Sequence, residues 1–579
     1  MSWIFGFLSK HNIANLNIDF SSIHPPTVYQ TKNEKLYIAT GGLKETCLYG
    51  SFSNSAGFES KSGWIVVGLG IELHSDHCRL LSSNDWQSVL SFPRQNFDNL
   101  DGHFIIIRWN ENKIELFNDQ LGLRTIYFYQ RDDGIAFSTR LDWIAKLIKS
   151  PSIDFKAFGP RWLTFNQLSY QSYLNETTRL PPGGSAVCTA DSLFIQKSSW
   201  LPNRSKFSER SFESIVSAFI NPKNNGYDSI TFGLSGGLDS RFLLAMFLYN
   251  QKKITIHNWG HLEHPDVKIA QKIIKQENLE NTYIEEPIPS ADECITLLRE
   301  YECHACMNEP ASSILKLRYY PKLRAHHKLM IDGGFGEIAR RIHLNRIIYK
   351  GRKALRSGNP QSLLPFLELK RGTIFNEDTL RLMEEGSRAQ VEEVWEDMPP
   401  MKELGEENFI ELFAIRTRVP NWGTFEQSRL DCDIPNYMPL VQPSLLHKIF
   451  QIPVSDRKHG KLFRKLISKC YPSLTRFPLV RGNLTHPFNL NSLQAFAWTK
   501  IKSKMQLGFV NPLPSQFLDR LSEFIMDTVH SESVKSFSAY NYPLLLKMVE
   551  DYYSGKKELQ TQIDWWLSFE IWRQSIYSK

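Results

Sequence analysis

Residues 232–245 have the sequence FGLSGGLDSRFLLA, and this stretch decides how the second half of the chain is interpreted. An apolar segment that ends at Leu234 leads into the turn Ser235-Gly236-Gly237, and the apolar residues after Ser240 predict a helix. A strand, a glycine turn and a helix in this order bring several backbone N–H groups and the positive end of a helix dipole to one place. The stretch therefore predicts an anion-binding site.

The side chains of the turn indicate that this anion is a polyphosphate. The Gly-Lys-Ser/Thr ending of a Walker loop is missing. Gly236 and Gly237 let the backbone close on phosphate oxygens, while Ser235 and Ser240 can donate hydroxyls. A carboxylate beside a polyphosphate needs a cation between them, so Asp239 is predicted to bind Mg²⁺. A turn without any ligand is the alternative; two glycines alone would favour it, but all six residues together do not.

Length and composition set the class of protein. A chain of 579 residues is too long for one core, so two or more domains are expected. A 42% share of hydrophobic and a 22% share of charged residues are typical of a globular protein and exclude a disordered one. The net charge of +7 is interpreted as a mild bias without long runs of one sign. It suits anionic ligands such as nucleotides and predicts no nucleic-acid partner.

The location is predicted to be cytoplasmic. The eight cysteines have no repeated spacing that would indicate a disulfide framework, so reduced thiols are expected. The apolar run in MSWIFGFLSK at the N-terminus is too short for a signal-peptide core. No window reaches the roughly 18 apolar residues that a membrane helix needs, so no membrane partner is expected.

Three further patterns favour structural roles over chemistry. Cys303 and Cys306 form a single CxxC pair, which is more typical of a helical core than of a zinc site. The segment EHPD at 263–266 predicts a helix capped by Asp266. Tryptophans at helical spacing predict a core or an interface, and they are Trp565, Trp566 and Trp572.

The chain divides into two segments of different periodicity. Runs of β-branched and aromatic residues before about residue 200 predict strands that follow one another closely and pair antiparallel. They span residues 63–73, 102–110, 113–119, 124–130 and 134–140. After about residue 203, strands alternate with helices, which predicts a parallel α/β sheet. Residues from 341 onward are predicted to be mostly helical, with 340–410 a solvated helical elaboration.

Several motifs carry a resemblance to a known family. SGGLDS resembles the pyrophosphate-binding loop of the ATP pyrophosphatases, and most of residues 1–480 are similar to glutamine-dependent asparagine synthetases. The motifs are MSWIFGF, the segment LDGHFIIIRWNENKIELFNDQLGLRTIYFYQ, RLPPGGSAV (179–187), SGGLDS, HPDVKIAQKI, DGGFGE (332–337), MPLVQPSLLHKIFQIP and GKLFRK (460–465). The resemblance implies an α/β protein: an Ntn-hydrolase-like α+β sandwich over 1–203, glutaminase-like but degenerate, and an adenine nucleotide α-hydrolase-like parallel-sheet domain with helical elaboration over 204–579.

The resemblance also implies a chemistry, in which ATP and Mg²⁺ convert a carboxylate into an acyl-adenylate that an amine then attacks. Asp239 and Glu337 are expected to hold Mg²⁺, because Glu337 falls where the family has its second metal-binding acid. Lys461 is expected to stabilise developing charge, although a solvated role is open because Lys458 and Lys465 lie nearby. The residues expected to bind ATP are Leu234, Ser235, Gly236, Gly237, Leu238, Asp239, Ser240, Asn258, Gly260, Asp332 and Gly333.

Two departures from the family affect the N-terminal segment. Ser2 stands where the family has its cysteine nucleophile, and a hydroxyl is far less acidic than a thiol. Residues 68–72, Gly-Leu-Gly-Ile-Glu, lack the asparagine with which the family holds glutamine. The glutaminase is therefore predicted to be inactive.

Relatives without a glutaminase use an amine that the substrate already carries, as β-lactam synthetases, carbapenam synthetase and lasso peptide cyclases do. Gly334 stands where the β-lactam enzymes have a tyrosine that helps to deprotonate a poor nucleophile. The α-amine of a peptide, with a pKa near 8, needs little help from a base. The resemblance thus implies a lasso peptide macrolactam synthetase that acts on a precursor peptide beside a leader-peptidase partner. A synthetase that uses ammonia, a β-lactam synthetase-like cyclase and a catalytically inactive interaction scaffold are the alternatives.

Overall fold

The structure is a computed structural model. It describes residues 2–13, 25–52, 62–91, 97–110, 112–203, 205, 209–223, 226–227, 229–284, 287–324, 328–369 and 371–577, with the side chains of 428 and 429 left aside. The fold is mixed α/β with several sheets and many helices.

The N-terminal segment contains two sheets. Its strands are β1 (Trp3–Ser9), β2 (Thr27–Lys32), β3 (Leu36–Gly41), β4 (Cys47–Ser51), β5 (Gly63–Leu73), β6 (Cys78–Leu80), β7 (Asp101–Trp109), β8 (Ile114–Asn118), β9 (Tyr127–Arg131), β10 (Gly134–Ser138), β11 (Thr177–Arg179), β12 (Ser185–Cys188) and β13 (Leu193–Gln196). One sheet has the order β11-β9-β10-β1-β3-β2 and the other β13-β12-β8-β7-β5-β6, with β4 beside β5. Strand β7 pairs antiparallel with β8, and β9 with β10, which confirms the predicted antiparallel pairing of strands that follow one another closely.

Alternating side chains along these strands face different layers. In β1, Ile4 and Leu8 pack between the two sheets, whereas Trp3 and Phe5 face a helical layer formed largely by the C-terminal part of the chain. Because the side-chain period of a strand is two, a strand with both faces buried shows no polar alternation. Among its described residues, this segment has the helices α1 (Ser83–Leu90), α2 (Leu141–Leu147) and α3 (Phe155–Leu163).

After residue 204 the chain forms a parallel sheet. The strand β14 (Pro222–Lys223) adds to β6, and the sheet itself contains β15 (Ser229–Gly233), β16 (Ile254–Trp259), β17 (Asn281–Ile284), β18 (Lys328–Ile331) and β19 (Asn436–Tyr437). All neighbours are parallel and the order is β17-β16-β15-β18-β19. From β15 the chain continues to β16 and β17 on one side of the sheet, whereas β18 and β19 add to the other side, so the strand order reverses between β15 and β18. This topological switch point creates a crevice at the carboxyl ends of the two strands.

Helices and one hairpin surround this sheet. The helices are α4 (Phe212–Phe219), α5 (Leu238–Tyr249), α6 (Pro265–Gln276), α7 (Ala291–Ala305), α8 (Tyr320–Arg324), α9 (Gly336–Ala339), α10 (Asn345–Lys350), α11 (Arg352–Arg356), α12 (Leu364–Leu367), α13 (Glu377–Glu396), α14 (Met401–Leu404), α15 (Glu406–Arg418), α16 (Thr424–Leu430), α17 (Pro443–Gln451), α18 (Val454–Arg457), α19 (Lys461–Cys470), α20 (Ser492–Lys504), α21 (Leu513–Arg520), α22 (Ser522–His530), α23 (Glu532–Lys535), α24 (Tyr542–Tyr553) and α25 (Gln560–Tyr577). The hairpin consists of β20 (Leu479–Arg481) and β21 (Leu484–His486).

The charged segment 340–410 is more than a solvated elaboration. Helix α13 buries one face against α3, and the two helices approach closely at Gly159 and Gly386. A Cβ on either glycine would clash with the backbone of the other helix, at Met383 or Lys156. The prediction overlooked this face because the charged residues of α13 hide its apolar period.

The three tryptophans of α25 are buried, which confirms the prediction of a core. Trp566 and Trp572 are fully enclosed, and Phe158 of α3 stacks on Trp572 with ring centroids 5.8 Å apart. Cys306 is also buried, at the end of α7. Within the described ranges, no helix has both the length and the apolar character needed to cross a membrane.

Candidate functional site

A pocket of 530 Å³ lies at the carboxyl ends of β15, β16 and β18. The predicted ATP-binding residues that line it are Leu234, Ser235, Gly237, Asp239, Ser240, Asn258, Gly260, Asp332 and Gly333. Four other predicted site residues are not among those that line it: Gly236, Leu238, Glu337 and Lys461. The structure thus brings most of the predicted residues together at the switch point of the sheet.

The loop between β15 and α5 is folded by its own hydroxyls. Ser235 Oγ and Ser240 Oγ are 2.9 Å apart, and Ser240 Oγ also accepts the N–H of Ser235 at 3.2 Å. Gly237, the N-cap of α5, has no side chain to accept from the first turn of the helix. The start of α5 therefore offers N–H groups and a positive dipole end to an anion.

Asp266 holds the centre of this loop. Its Oδ1 accepts the N–H of Gly236 at 2.9 Å, and burial raises the pKa of Asp266. The prediction that Asp266 caps α6 is wrong. The N-cap is His264, whose Nδ1 accepts the N–H of Asp266 at 3.2 Å. Because His264 caps the helix, the Asp266 carboxylate is not needed as a cap and can accept from the loop instead.

Asp239 is paired with Arg340, a residue that the sequence analysis did not select. Arg340 Nε lies 2.5 Å from Asp239 Oδ1, and its Nη2 donates to Oδ2 at 2.6 Å. Burial raises the pKa of Asp239, Arg340 opposes this rise and Glu337 adds to it. A Cβ on Gly336 would clash with the Asp239 carboxyl group, so only glycine permits this approach.

Glu337 lies behind Asp239 and has an arginine of its own. Arg418 Nε is 3.1 Å from Glu337 Oε1, and the Arg418 guanidinium stacks over Trp422 at 4.5 Å. Burial opposes ionisation of Glu337, but Arg418 and His343 hold the pKa of this carboxyl below its ordinary value. Trp422 belongs to a π-helical turn between α15 and α16, a feature that is frequent at functional sites.

The carboxylates of Asp239 and Glu337 are of the donor type that the expected Mg²⁺ site needs, but Arg340 lies beside one of them. Mg²⁺ is usually held by one or two carboxylates together with phosphate oxygens and water. Asp239 and Glu337 interact electrostatically, so a shared cation would stabilise both. The described part of the chain has no cluster of three or more His, Cys, Asp or Glu side chains suited to a metal. Because Arg340 is the cation beside Asp239 in this structure, a metal at Asp239 requires Arg340 to move.

The side of the pocket formed by β16 carries polar groups without charge. Asn258 Oδ1 accepts from Gln271 Nε2 at 3.0 Å, while its Nδ2 is buried and has no partner among the described residues. His257 shares a hydrogen bond of 2.8 Å between its Nδ1 and Thr231 Oγ1. Burial lowers the pKa of His257 to about 4, so its ring is neutral at pH 7. A buried amide donor beside a neutral imidazole suits a polar, uncharged ring such as a purine.

Lys461 turns away from the pocket. Its Nζ donates to Ser455 O at 3.0 Å and the side chain is exposed. The turn before it does reach the site, because a Cβ on Gly460 would lie 2.6 Å from Leu238 Cδ2 and 3.4 Å from Arg340 Cδ. A catalytic role for Lys461 stays a prediction that requires its side chain to rotate.

A late segment of the chain packs on the phosphate loop. Val480 donates its N–H to Gly236 O at 3.0 Å. The buried Arg241 of α5 holds the segment just before β20, because it donates to Phe477 O at 2.6 Å and to Pro478 O at 2.8 Å. Farther along, Asn511 and Leu513 line the pocket. Nothing in the local sequence of these residues indicates such contacts.

The place of the predicted, degenerate glutaminase is closely packed. The buried Ser2 Oγ lies 2.7 Å from Thr46 Oγ1. A Cβ on Gly70 would clash with Trp86, and Gly68 has a φ of +109° that favours glycine. The glycines at 68 and 70 thus serve the packing of β5 and supply no side-chain donor for glutamine.

Comparisons with known proteins leave the family open. No family model matches the chain, and no curated protein matches it. Among solved structures, the allosteric regulatory enzyme of purine biosynthesis aligns with 61% of this chain and 72% of its own chain, at 10% sequence identity and a TM-score of 0.19. A TM-score of this size supports no conclusion about fold or activity. The family resemblance of the motifs stays a prediction.

Proposed function

We propose that the protein is an ATP- and Mg²⁺-dependent ligase that closes a macrolactam in a lasso peptide precursor. The bond would join the N-terminal amine of the peptide to an Asp or Glu side chain within it, with release of AMP and pyrophosphate. The observation that carries the proposal is the pairing of the uncapped start of α5 with two adjacent carboxylates, Asp239 and Glu337. Phosphates and the metal that accompanies them need this combination.

Each step balances with ATP as a substrate. A carboxylate oxygen of the peptide attacks the α-phosphorus of ATP, the bond to the β-phosphate oxygen breaks, and pyrophosphate leaves. The amine then attacks the activated carbonyl, loses a proton, and AMP leaves as the amide forms. When bound, Mg²⁺ would neutralise charge on the leaving pyrophosphate.

The residues of this chain would bind and orient. The N–H groups at the start of α5 would hold phosphate oxygens, and the Asp266 carboxylate would keep the Gly236 peptide in place through its 2.9 Å hydrogen bond. Arg340, released from Asp239 when a metal binds, would remain close enough to interact with phosphate. Asn258 would donate a hydrogen bond from its buried Nδ2 to the adenine ring of ATP.

Gly334 bears on the source of the amine. A Cβ at this position would lie 2.6 Å from Met438 Sδ, so there is little room for a tyrosine without movement of Met438. A nucleophile that needs no strong base, such as a peptide α-amine, suits a site with glycine here.

The test is incubation of the purified chain with ATP, Mg²⁺ and a leader-free core peptide from a precursor gene beside its own. The expected products are AMP, pyrophosphate and a peptide lighter by one water, measured by chromatography and mass spectrometry. Asp239→Asn and Glu337→Gln should reduce the rate by about 100-fold or more, whereas the exposed Glu384→Gln should not. AMP release with a small carboxylic acid and ammonia, but not with the peptide, would favour a synthetase of small molecules. No AMP release with any acid would favour the inactive scaffold.

A further inference from the structure

Helix α20 presents apolar side chains to solvent. Of its thirteen residues only Ala495 and Thr499 are buried. Seven large apolar side chains between residues 493 and 510 are exposed by 43% to 83%: Leu493, Phe496, Trp498, Ile501, Met505, Leu507 and Val510. Seven such side chains within one short segment are more than the single exposed apolar residues of an ordinary surface, and apolar surface of this extent marks interaction sites. These seven residues are named the α20 surface.

Cations stand among these apolar groups. The Arg481 guanidinium lies 5.2 Å from the centre of the Phe496 ring, and Lys502 Nζ lies 5.6 Å from that of Trp498. Lys500 and Lys504 extend from the same helix, and none of these four cations has an acidic partner among the described residues. The α20 surface is therefore apolar and positively charged at once.

The sequence around α20 is basic without interruption. From residue 457 to 518 there is no Asp or Glu, while the Lys and Arg residues are Arg457, Lys458, Lys461, Arg464, Lys465, Lys469, Arg476, Arg481, Lys500, Lys502 and Lys504. Since the whole chain carries only +7, the remainder is net acidic. The interpretation that charges are spread without long runs of one sign is wrong for this segment. Three of these cations are paired with acids from other parts of the chain: Arg457 with Glu411, Lys458 with Glu407 and Lys469 with Glu213. The positive field that would attract an acidic ligand to α20 therefore comes from Arg481, Lys500, Lys502 and Lys504.

The chain that follows the α20 surface leads to the pocket. After α20 the chain brings Phe509 onto His261 and His264, with ring centroids 5.5 Å and 5.3 Å apart, and then Asn511 lines the pocket. On the other side, Val480 of β20, the residue before Arg481, donates its N–H to Gly236 O at 3.0 Å, so β20 also packs on the loop of the pocket. The segments that flank α20, residues 479–481 and 509–513, thus both contact the loops that form the pocket.

We propose that the α20 surface binds the peptide substrate: an extended chain with apolar and acidic side chains whose reactive carboxylate enters the pocket. This inference rests on the proposed function and names where its substrate binds. The occupant must carry a carboxylate to be activated, which matches the positive charge, and apolar residues match Phe496, Trp498 and Ile501. A lipid surface would need no connection to the pocket, and the contacts of both flanking segments with the pocket loops favour the peptide.

The experiment measures peptide binding without ATP. Two fluorescein-labelled synthetic peptides with the same Phe, Leu, Gly and Ser content are compared by fluorescence anisotropy, one carrying Glu and the other Lys. The Glu peptide should bind the full-length protein about tenfold more tightly than the Lys peptide. Two double variants, Phe496→Ser with Ile501→Ser and Lys500→Glu with Lys504→Glu, should each weaken binding about tenfold.

Matched controls carry the same changes elsewhere on the surface. They are Phe194→Ser with Leu382→Ser and Lys253→Glu with Lys272→Glu, and both should bind within about twofold of the parent. Peptide binding that depends on α20 without AMP release would overturn the proposed function alone. Macrolactam formation with an unchanged peptide KM in both α20 variants would overturn the inference alone.

Two other occupants would also overturn it. One outcome is α20-dependent sedimentation with phosphatidylglycerol vesicles together with no binding of the Glu peptide, which assigns the surface to a membrane. The other is a dimer by light scattering that the Phe496→Ser and Ile501→Ser variant dissociates, which assigns it to a second copy of the chain.

Discussion

Asp239 and Arg340 form a two-point ion pair, with Nε 2.5 Å from Oδ1 and Nη2 2.6 Å from Oδ2. The predicted Mg²⁺ ligand therefore has a cation of its own, and a metal must compete with it. Arg340→Met should lower the unfolding free energy by about 1–3 kcal/mol, because it leaves a largely buried carboxylate without a partner. Adding Asp239→Asn to Arg340→Met should recover part of this loss. Thermal or urea unfolding of the parent, the two single variants and the double variant would measure it.

The same variants test access of the metal. Mg²⁺ without ATP should raise the melting temperature of Arg340→Met by more than that of the parent, because the carboxylate then lacks a competing cation and no phosphate contact of Arg340 is involved. Equal shifts in both proteins would contradict the assignment of Asp239 as a metal ligand.

Gly336 is the residue that lets α9 lie against Asp239. Gly336→Ala should lower stability by about 1–3 kcal/mol and reduce AMP release strongly, because the new methyl group displaces the carboxylate. Gly372→Ala is the control, since a Cβ there meets its neighbours no closer than 3.5 Å. If both variants behaved alike in unfolding and activity assays, the close packing of Gly336 on Asp239 would contribute neither to stability nor to activity.

Asp266 should affect the binding of ATP more than the chemical step. Asp266→Ala removes the acceptor that holds the Gly236 N–H, so the KM for ATP in pyrophosphate exchange should rise about tenfold. Asp266→Asn keeps an oxygen in the same place and should show a smaller rise. Asp292→Ala, at an exposed helix start, serves as the control. A fall in kcat at constant KM would place Asp266 in the chemistry instead.

The sequence predicted the parts of the fold that depend on local pattern. The strand at 229–233, the glycine loop and the helix from Leu238 follow from apolar periodicity and turn chemistry, and the structure contains all three. The meeting of Asp239, Asn258 and Asp332 at one pocket could be predicted as well. Residues at the carboxyl ends of neighbouring parallel strands share one edge of the sheet.

Contacts between distant segments could not be predicted in this way. Arg340 follows Glu337 by one helical turn and could have been selected from DGGFGEIARR by its charge. Arg418 and Asn511 reach the site only through the packing of α15 and of the chain after α20. Single-sequence periodicity contains no information about such pairings.

Lys461 provides a direct comparison of the family resemblance with the geometry. If its side chain rotates from Ser455 O toward the phosphates, Lys461→Met should lower kcat about 100-fold with little change in the KM for ATP. Lys465→Met, one helical turn further on an exposed position, should retain the parent rate. Equal rates for the two variants would remove Lys461 from the mechanism.

Glu302 links stability to pH at a position remote from the pocket. It is buried in α7, where Oε1 accepts from Ser568 of α25 and Oε2 accepts the Met307 N–H at 3.2 Å. Burial raises the pKa of Glu302 to about 8. The folded protein therefore holds a proton that the unfolded chain releases near its ordinary pKa of about 4.3. Between these two values the folded state binds more protons, so its stability falls as pH rises.

Glu302→Gln removes this titration and keeps the shape of the side chain. Its melting temperature should therefore be close to that of the parent at pH 5 and exceed it increasingly as the pH approaches 8, and differential scanning calorimetry across this range measures the trend. Glu300→Gln changes an exposed residue of the same helix and should follow the parent at every pH. A constant difference between Glu302→Gln and the parent from pH 5 to pH 8 would mean that Glu302 is ionised in the fold and that its charge is balanced within the α7–α25 interface.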